Sequence, residues 1–360
     1  MKRLLLLAVV LGLIGLGVGY ALAFAPNARG AEEGRGVKVP EGATFETVLD
    51  SLESAGLIRS RTTLRWFGRL TGWGEQVKPG HYLVADGMSN WALLDKIRKG
   101  LQDPIRITVP PGRTPAQFAA ALRRQLGTDS AAVRVALRDT SFADSLGTDL
   151  IHLFGHMRAN TYDVFWTTNA KRAIERIHNW HERYWTQDKR AAARTLGLTP
   201  DEVITLASIV EWEARVPQER PRIAGVYLNR LLGRTPAGRM RLQADPTVQF
   251  ALMQADGGPM RRLLLRDYQF PSPYNTYLVD GLPPGPITNP SDASIEAVLN
   301  AERHDFLYFV ANGTGGHTFA RTGAEHAANA RRWSAWITRQ YQIRDSLRAD
   351  SVRRGLRPAN

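Results

Sequence analysis

The chain has 360 residues, 43% of them hydrophobic and 22% charged, which suits a folded protein of two or three domains and excludes a disordered one. With no cysteine it has neither a disulfide framework nor a lipidation site, which permits an oxidising compartment. Lys and Arg outnumber Asp and Glu by 47 to 34, and the formal net charge of +13 points to a polyanionic partner.

After Lys2 and Arg3 comes Leu4 to Ala25, 22 residues without a charge and long enough to cross a hydrocarbon core about 30 Å thick. Basic residues ahead of the span favour a cytoplasmic N-terminus, with everything beyond about residue 26 outside. Ala21-Leu22-Ala23 would pass as a signal-peptide cleavage site, but the run exceeds the 7–15 residues usual for such a segment. Outside the membrane the available polyanions are cell-wall polymers and lipid head groups, so nucleic acid is not expected as a partner. A linker is expected over residues 26–36.

A weak internal repeat follows. Val37-Lys38-Val39-Pro40-Glu41-Gly42-Ala43-Thr44 and Ile107-Thr108-Val109-Pro110-Pro111-Gly112-Arg113-Thr114 both read as an alternating strand, a Pro-x-Gly turn and a Thr helix start. Val48, Leu49, Leu52, Leu57 and Ile58 supply apolar positions after the first, and Phe118, Leu122 and Leu126 after the second. Such strand-helix units usually bind or space.

Thr199-Pro200-Asp201-Glu202 reads as a capping box with Pro at the first helical position, and Pro217 should end that helix near Val216. Within it, Leu206-Ala207-Ser208-Ile209-Val210-Glu211-Trp212-Glu213-Ala214 carries two carboxylates into an apolar pattern. Desolvating a carboxylate costs several kcal/mol unless it is compensated or stays protonated, so a general acid is the first suspicion. Residues two apart lie about 200° apart on a helix, so Glu211 and Glu213 face different ways. Glu213 shares the stripe of Leu206, Ile209 and Val210 and is favoured as the perturbed group; Glu211 reads as a bystander or brace.

A second helix is expected from Pro221 to Leu232, with Ile223, Val226, Tyr227 and Leu231 on one face and Gly233 as its stop. Long loops then carry Met240 to Thr247, Ser272 to Tyr277 and Gly281 to Ile287, whose amides and phenols suit sugar recognition. Leu307-Tyr308-Phe309-Val310 reads as a buried strand, and Asn312 to His317 as a tight turn presenting a histidine. Eight arginines from Arg331 to Arg357 (Arg331, Arg332, Arg339, Arg344, Arg348, Arg353, Arg354 and Arg357) suggest a solvated, basic C-terminal helix.

Ala-Ser-Ile-Val-Glu-x-Glu-Ala, Val-Tyr-Leu-Asn-Arg-Leu, Met-Arg-Leu-Gln-Ala-Asp-Pro-Thr-Val, Tyr-Asn-Thr-Tyr, Gly-Leu-Pro-Pro-Gly-Pro-Ile and Leu-Tyr-Phe-Val-Ala-Asn-Gly-x-Gly-Gly-His-x-Phe occur in this order from Ala207 to Phe319. Together they resemble the endolytic murein transglycosylases of the YceG-like (MltG) family. The resemblance implies an α+β fold: an N-terminal transmembrane helix over residues 1–25, a LysM-like module over 37–102, a mixed catalytic domain with a catalytic helix over 103–340, and a basic tail over 341–360. It implies cleavage of the MurNAc–GlcNAc β-1,4 bond within glycan strands to leave 1,6-anhydro ends, with the second glutamate of Glu-x-Glu, Glu213, as the acid. Glu211 is then a supporting group. Gln243, Asp245, Tyr274, Asn275, Tyr277 and His317 are the candidate substrate contacts. Neither cofactor nor metal is implied; peptidoglycan strands, the membrane and peptidoglycan synthases are the implied partners. Where the family has Phe-Pro-Asp-Thr-Tyr this chain reads Met157-Arg158-Ala159-Asn160-Thr161-Tyr162, and Arg234 to Arg239 resembles a short insertion.

Three rival readings fit less of the sequence. A metal hydrolase would use His152 and His156, or His178 and His181 with Glu182, but neither spacing is a zinc-protease motif. A serine hydrolase would use Ser208, which lacks a Gly-x-Ser-x-Gly elbow. A wall-binding or division scaffold without activity is the third, and retention of both glutamates argues against it.

Overall fold

The computed structural model describes residues 2–30 and 35–353, with side chains as far as Ser346. In chain order come α1 (Lys2–Phe24), β1 (Arg35–Val39), α2 (Phe45–Ser54), α3 (Arg61–Thr71), β2 (Gly80–Val84), α4 (Asn90–Lys99), β3 (Ile105–Val109), α5 (Pro115–Gln125), α6 (Ser130–Ala136) and α7 (Thr140–Ser145). Then follow β4 (Asn160–Val164), α8 (Ala170–Tyr184), α9 (Gln187–Thr195), α10 (Pro200–Glu213), α11 (Arg220–Leu232), α12 (Asp245–Asp256) and α13 (Asp292–Leu299), and finally β5 (Tyr308–Ala311), β6 (His317–Ala320) and α14 (Gly323–Arg353). Among the described residues the strands form three two-stranded pairs, β1 with β2, β3 with β4 and β5 with β6, so the fold is mixed α/β and mostly helical. The chain divides into two compact units. One takes residues up to Thr108, Ala119–Val133 and Thr161–Ala173; the other takes Val109–Phe118, Arg134–Asn160 and everything from Ile174 onward.

In the first unit β1 and β2 are antiparallel, with Val37 opposite Tyr82 and Val39 opposite Gly80. Val37, Val39, Tyr82 and Val84 point inward onto Val48, Leu49 and Leu52 of α2 and Leu93, Leu94 and Ile97 of α4, the period-2 and period-3.6 faces their sequences require. The repeated strand, turn and cap are present at both positions. Thr44 accepts from Thr47 N at 3.2 Å and Thr114 from Gln117 N at 3.3 Å, after turns in which Gly42 and Gly112 have φ of +74° and +68°. The expected linker is corrected: Asn27 and Ala28 are buried, Pro26 bridges to Ser89 and Ala28 to Ile58. These residues supply hydrogen bonds and apolar surface that a free linker would leave to water. Of that stretch, residues 31–34 lie outside those described.

In the second unit α10 is the central helix, starting with the expected capping box between Thr199 and Glu202. Its positions from Val203 to Val210 are all buried, against residues of α9, α11, α12 and α13. Contrary to the expected stripe, a helix enclosed on every side has no single apolar face for Glu213 to share. It ends at Glu213, slightly before the expected Val216, with Ala214 already extended ahead of Pro217. The helix after it matches expectation, stopping at Gly233 with φ +63°. Of the strand expected to be buried, at Leu307 to Val310, Leu307 is buried ahead of β5, whereas Tyr308 to Val310 are half-buried in the first arm of the β5–β6 hairpin, where a two-stranded ribbon packed by α14 and by Tyr227 of α11 stays partly open to solvent. α14 runs unbroken past residue 341, with Arg331, Arg332, Arg339 and Arg344 along it; the side chains of Arg348 and Arg353, and all of Arg354 and Arg357, lie outside those described.

Candidate active site

Glu213 occupies the last position of α10, where the four C-terminal carbonyls have no helical partners and the dipole disfavours a negative side chain. It is half-buried, and its Oε1 accepts the phenol of Tyr227 from α11 at 2.8 Å. Burial pushes its carboxyl up from the ordinary 4.5 to about 7; the Tyr227 hydrogen bond and the Arg230 charge pull it down, and the nearby Asp245 charge pushes it up. That is the state a general acid needs near neutral pH.

Glu211 has a different environment. Its side chain is 7% exposed, and Oε2 accepts from Ser291 N at 2.9 Å, Ser291 Oγ at 2.5 Å and Ser294 Oγ at 2.7 Å, with the Arg220 guanidinium 3.5 Å from Oε1. Ser291 is the N-cap of α13, so this carboxylate sits at a helix N-terminus and ties α10 to it. Every acceptor position it uses is committed to the fold, which makes it the brace of the pair.

The loops before α12 and α13 are stitched together next. Gln243 N donates to Thr276 O at 3.1 Å, and Ala244 N to Thr276 Oγ1 at 3.0 Å. Asp245, the first residue of α12, accepts Tyr277 Oη at 2.7 Å and Tyr268 Oη at 3.3 Å. Burial and the Asp245 charge push both phenols up, Tyr268 to about 12, with Glu213 adding to the same field. Gln243 has φ +49°, the one positive value outside glycine among the described residues, and its side chain is exposed. A strained backbone of this kind, held by its neighbours, is a feature of functional loops.

Of the residues expected at the site, the structure gathers Asp245 and Tyr277 into the electrostatic neighbourhood of Glu213, while Asn275, Tyr274 and His317 have other partners. Asn275 is fully buried; its Nδ2 donates to Tyr268 O and Phe270 O, and its Oδ1 accepts from Tyr277 N, so it shapes the loop instead of meeting a ligand. Tyr274 leans on Phe250 with ring centroids 4.8 Å apart, and its charged neighbour is Asp149, not Glu213. His317 is clamped by Glu219, which takes its Nδ1 at 2.7 Å and its backbone N–H at 2.9 Å. The sequence reading missed Tyr227, Arg230 and Tyr268. Tyr227 repeats the apolar spacing of α11 and reads as core, which it also is. Arg230 is buried, donating from Nε to Leu307 O at 2.7 Å and from Nη1 to Leu242 O. Only its place between two hydrophobic turns could have flagged it.

The histidines of the two separate pairs meet at the other end of α10. His156 Nε2 lies 2.8 Å from Asp201 Oδ1 and its Nδ1 3.3 Å from His178 Nδ1, and its ring stacks on His181 with centroids 4.1 Å apart. His156, His181 and Asp201 are close enough to suggest a metal ion. The donor chemistry does not fit one well. The Trp185 indole, which can only donate, faces His181 Nε2 at 3.2 Å, so the neutral ring carries its proton on Nδ1, the buried atom left without a hydrogen-bond partner. His152 is held by Asp149 and Glu182 by Arg190. Ser208 is buried and spent on Thr205 O and Ile287 N.

A half-buried glutamate with a raised pKa, a phenol on its carboxyl and loops rich in tyrosine beside it are together what acid–base chemistry centred on a carboxyl requires, here on a mostly helical scaffold. The chain belongs to the YceG-like family, which matches residues 37–332. It is 29% identical over 310 residues to the endolytic murein transglycosylase of Bacillus subtilis, covering 81% of this chain and 82% of that one. With the endolytic murein transglycosylase of Streptococcus pneumoniae (serotype 2, strain D39) it shares 27% identity over 330 residues, 81% of this chain and 57% of the longer relative. A crystal structure of a yceG-like protein from Listeria monocytogenes superposes with a TM-score of 0.57 at 27% identity, covering 83% of this chain and 99% of that one.

Proposed function

We propose that this chain is a peptidoglycan lytic transglycosylase that cleaves the MurNAc–GlcNAc β-1,4 bond within glycan strands, with Glu213 as its single general acid and base. The observation that carries this is the Glu213 carboxyl, pushed up to about 7 by burial while still partly open to solvent. Protonated Glu213 gives its proton to the glycosidic oxygen as the anomeric C–O bond breaks. The C6 hydroxyl of the same MurNAc then attacks the cation-like anomeric carbon and returns its proton to Glu213, closing a 1,6-anhydro ring with no water consumed. A second carboxylate nucleophile is unnecessary, unlike in most glycosidases. Asp245, held by two tyrosines, supplies a fixed negative field that favours both the protonated acid and the developing cation. Tyr277, bonded to Asp245, and the exposed Gln243, two residues before Asp245, are the substrate contacts of this reading. Tyr227 and Glu211 hold Glu213 and its helix in place.

Under the same reading α1 is a single-pass anchor with its N-terminus cytoplasmic, residues 37–102 are the LysM-like module, and cleavage beside the membrane trims or terminates new strands near peptidoglycan synthases. The family relationship and the long apolar helix support it.

The test is digestion of purified sacculi by detergent-solubilised full-length chain, wild type against Glu213→Gln, with products read by mass spectrometry. Anhydro-ended fragments from wild type alone are expected. Reducing ends would make it a hydrolase, activity in Glu213→Gln would move the acid elsewhere, and an inactive folded wild type would leave the scaffold reading.

A further inference from the structure

The outer end of α1 is built into the first unit with no slack. Leu22 O, one of the carbonyls a helix end leaves without a partner, accepts Asn90 Nδ2 from α4 at 2.8 Å. Asn90 Oδ1 accepts Asn27 Nδ2 at 2.6 Å, and Asn27 also binds Ser60, N-cap of α3, through its Nδ2 and its Oδ1. Leu22 and Ala23 pack on the unit's hydrophobic core. The unit therefore begins in the last turn of the helix.

From that turn an unbroken row of aromatic rings runs into the unit. Centroid separations are 5.1 Å from Tyr20 to Phe24, 6.1 Å from Phe24 to Trp91, 6.1 Å from Trp91 to Trp73 and 5.6 Å from Trp73 to Phe67. Tyr20, Phe24 and Trp91 remain 69%, 48% and 41% exposed, whereas Phe67 is core. The Arg98 guanidinium lies 3.9 Å over Trp73, so a cation caps the row where it enters the core at Phe67. Scattered exposed apolar residues need no explanation; a contiguous row continuing an apolar helix does.

Height settles what covers the row. The 23 residues of α1 are about 34 Å long at 1.5 Å per residue, against a hydrocarbon core of about 30 Å. A helix that spans with Lys2 at one face puts Tyr20 and Phe24 at the opposite boundary, where Trp and Tyr are favoured because one side of the ring is apolar and the other wet. Trp91 touches Phe24 and is fixed there by the fold.

We propose that the first unit is seated directly on the bilayer that α1 crosses, with Phe24 and Trp91 in the outer head-group layer as interfacial anchors. The β1–β2 module is thus held at a set height above the lipid and does not swing on a tether. The proposal rests on the reading of α1 as a spanning anchor.

The test uses the full-length chain in phospholipid nanodiscs, with lipid brominated near the head-group end of its acyl chains against unbrominated lipid, and tryptophan emission of wild type and Trp91→Phe. Bromine should quench part of the wild-type emission, and Trp91→Phe, which keeps an apolar ring, should lose most of that quenched part while digesting sacculi as wild type does. Chain that co-elutes with the discs but shows the same quenching in both forms overturns the seating and leaves the anchor standing. Two chains per disc with Trp91 shielded from bromine would assign the row to a second copy and overturn it as well. Chain that does not co-elute with the discs sinks the anchor reading itself, and the seating with it.

Discussion

Glu213 is a carboxyl whose surroundings set both its chemistry and its cost. Its folded pKa of about 7 lies above the ordinary 4.5, so it contributes stability that is complete below pH 4.5 and is lost as pH rises through 7. The full shift corresponds to roughly 3 kcal/mol, and partial solvent access reduces it. Glu213→Gln should therefore raise thermal stability by about 1–2 kcal/mol at pH 8 and by little at pH 4, measured by calorimetry at both. Wild-type activity should fall on the alkaline side of about pH 7 as the acid loses its proton. Tyr227→Phe removes a hydrogen bond that favours the ionised carboxyl, so that alkaline limb should move up by about one unit, read from a pH–rate profile. An unmoved limb would mean that Tyr227 does not tune the acid. Gln243→Gly should leave stability unchanged or raise it by up to about 1 kcal/mol, because glycine adopts φ +49° without strain, while lowering sacculus digestion through the lost side chain. Equal activity would remove Gln243 from the substrate contacts.

At the level of elements, α10 carries the two glutamates into different tasks because 200° of rotation separates them. Glu211 clamps the N-terminus of α13 through Ser291 and Ser294, and Glu213 meets α11 through Tyr227. Glu211→Ala should cost about 3 kcal/mol or more by leaving Arg220 and two serines without their acceptor, measured by denaturant unfolding, whereas Glu213→Gln should not destabilise. The helices and their caps were readable from local pattern: Thr199, Pro200 and Glu202 for α10, Gly233 for α11, and the twin Thr44 and Thr114 starts. Orientation inside the core was not. The apolar pattern of α10 marks burial without saying which neighbour lies on which side, and the partial exposure of Tyr308 to Val310 depended on how completely the elements around the β5–β6 hairpin would cover it.

For the whole molecule, a net charge of +13 predicts attraction to anionic wall polymer that ordinary salt screens. Binding of inactive Glu213→Gln chain to sacculi, measured by co-sedimentation, should weaken steadily as salt rises from about 0.05 M to 0.5 M, where the screening length falls from roughly 14 Å to 4 Å. Salt-independent binding would mean that glycan contacts alone hold it. The interleaving of three chain segments in each unit had no sequence signal, since contacts between distant segments leave no local pattern.

The sequence by itself determined the spanning-length apolar helix, the capped helix bearing Glu-x-Glu, the repeated strand-turn-cap and membership of the YceG-like family, because caps, turns and periodicity are properties of neighbours along the chain. Tertiary structure alone decided that Glu211 is buried among two serines and an arginine while Glu213 is partly buried with one phenol on its carboxyl, that Tyr227 and not Asn275 reaches toward the acid, and that residues 26–28 are built into the fold. Those outcomes depend on which groups distant in sequence exclude water from one another, and that is settled only when the chain has closed on itself.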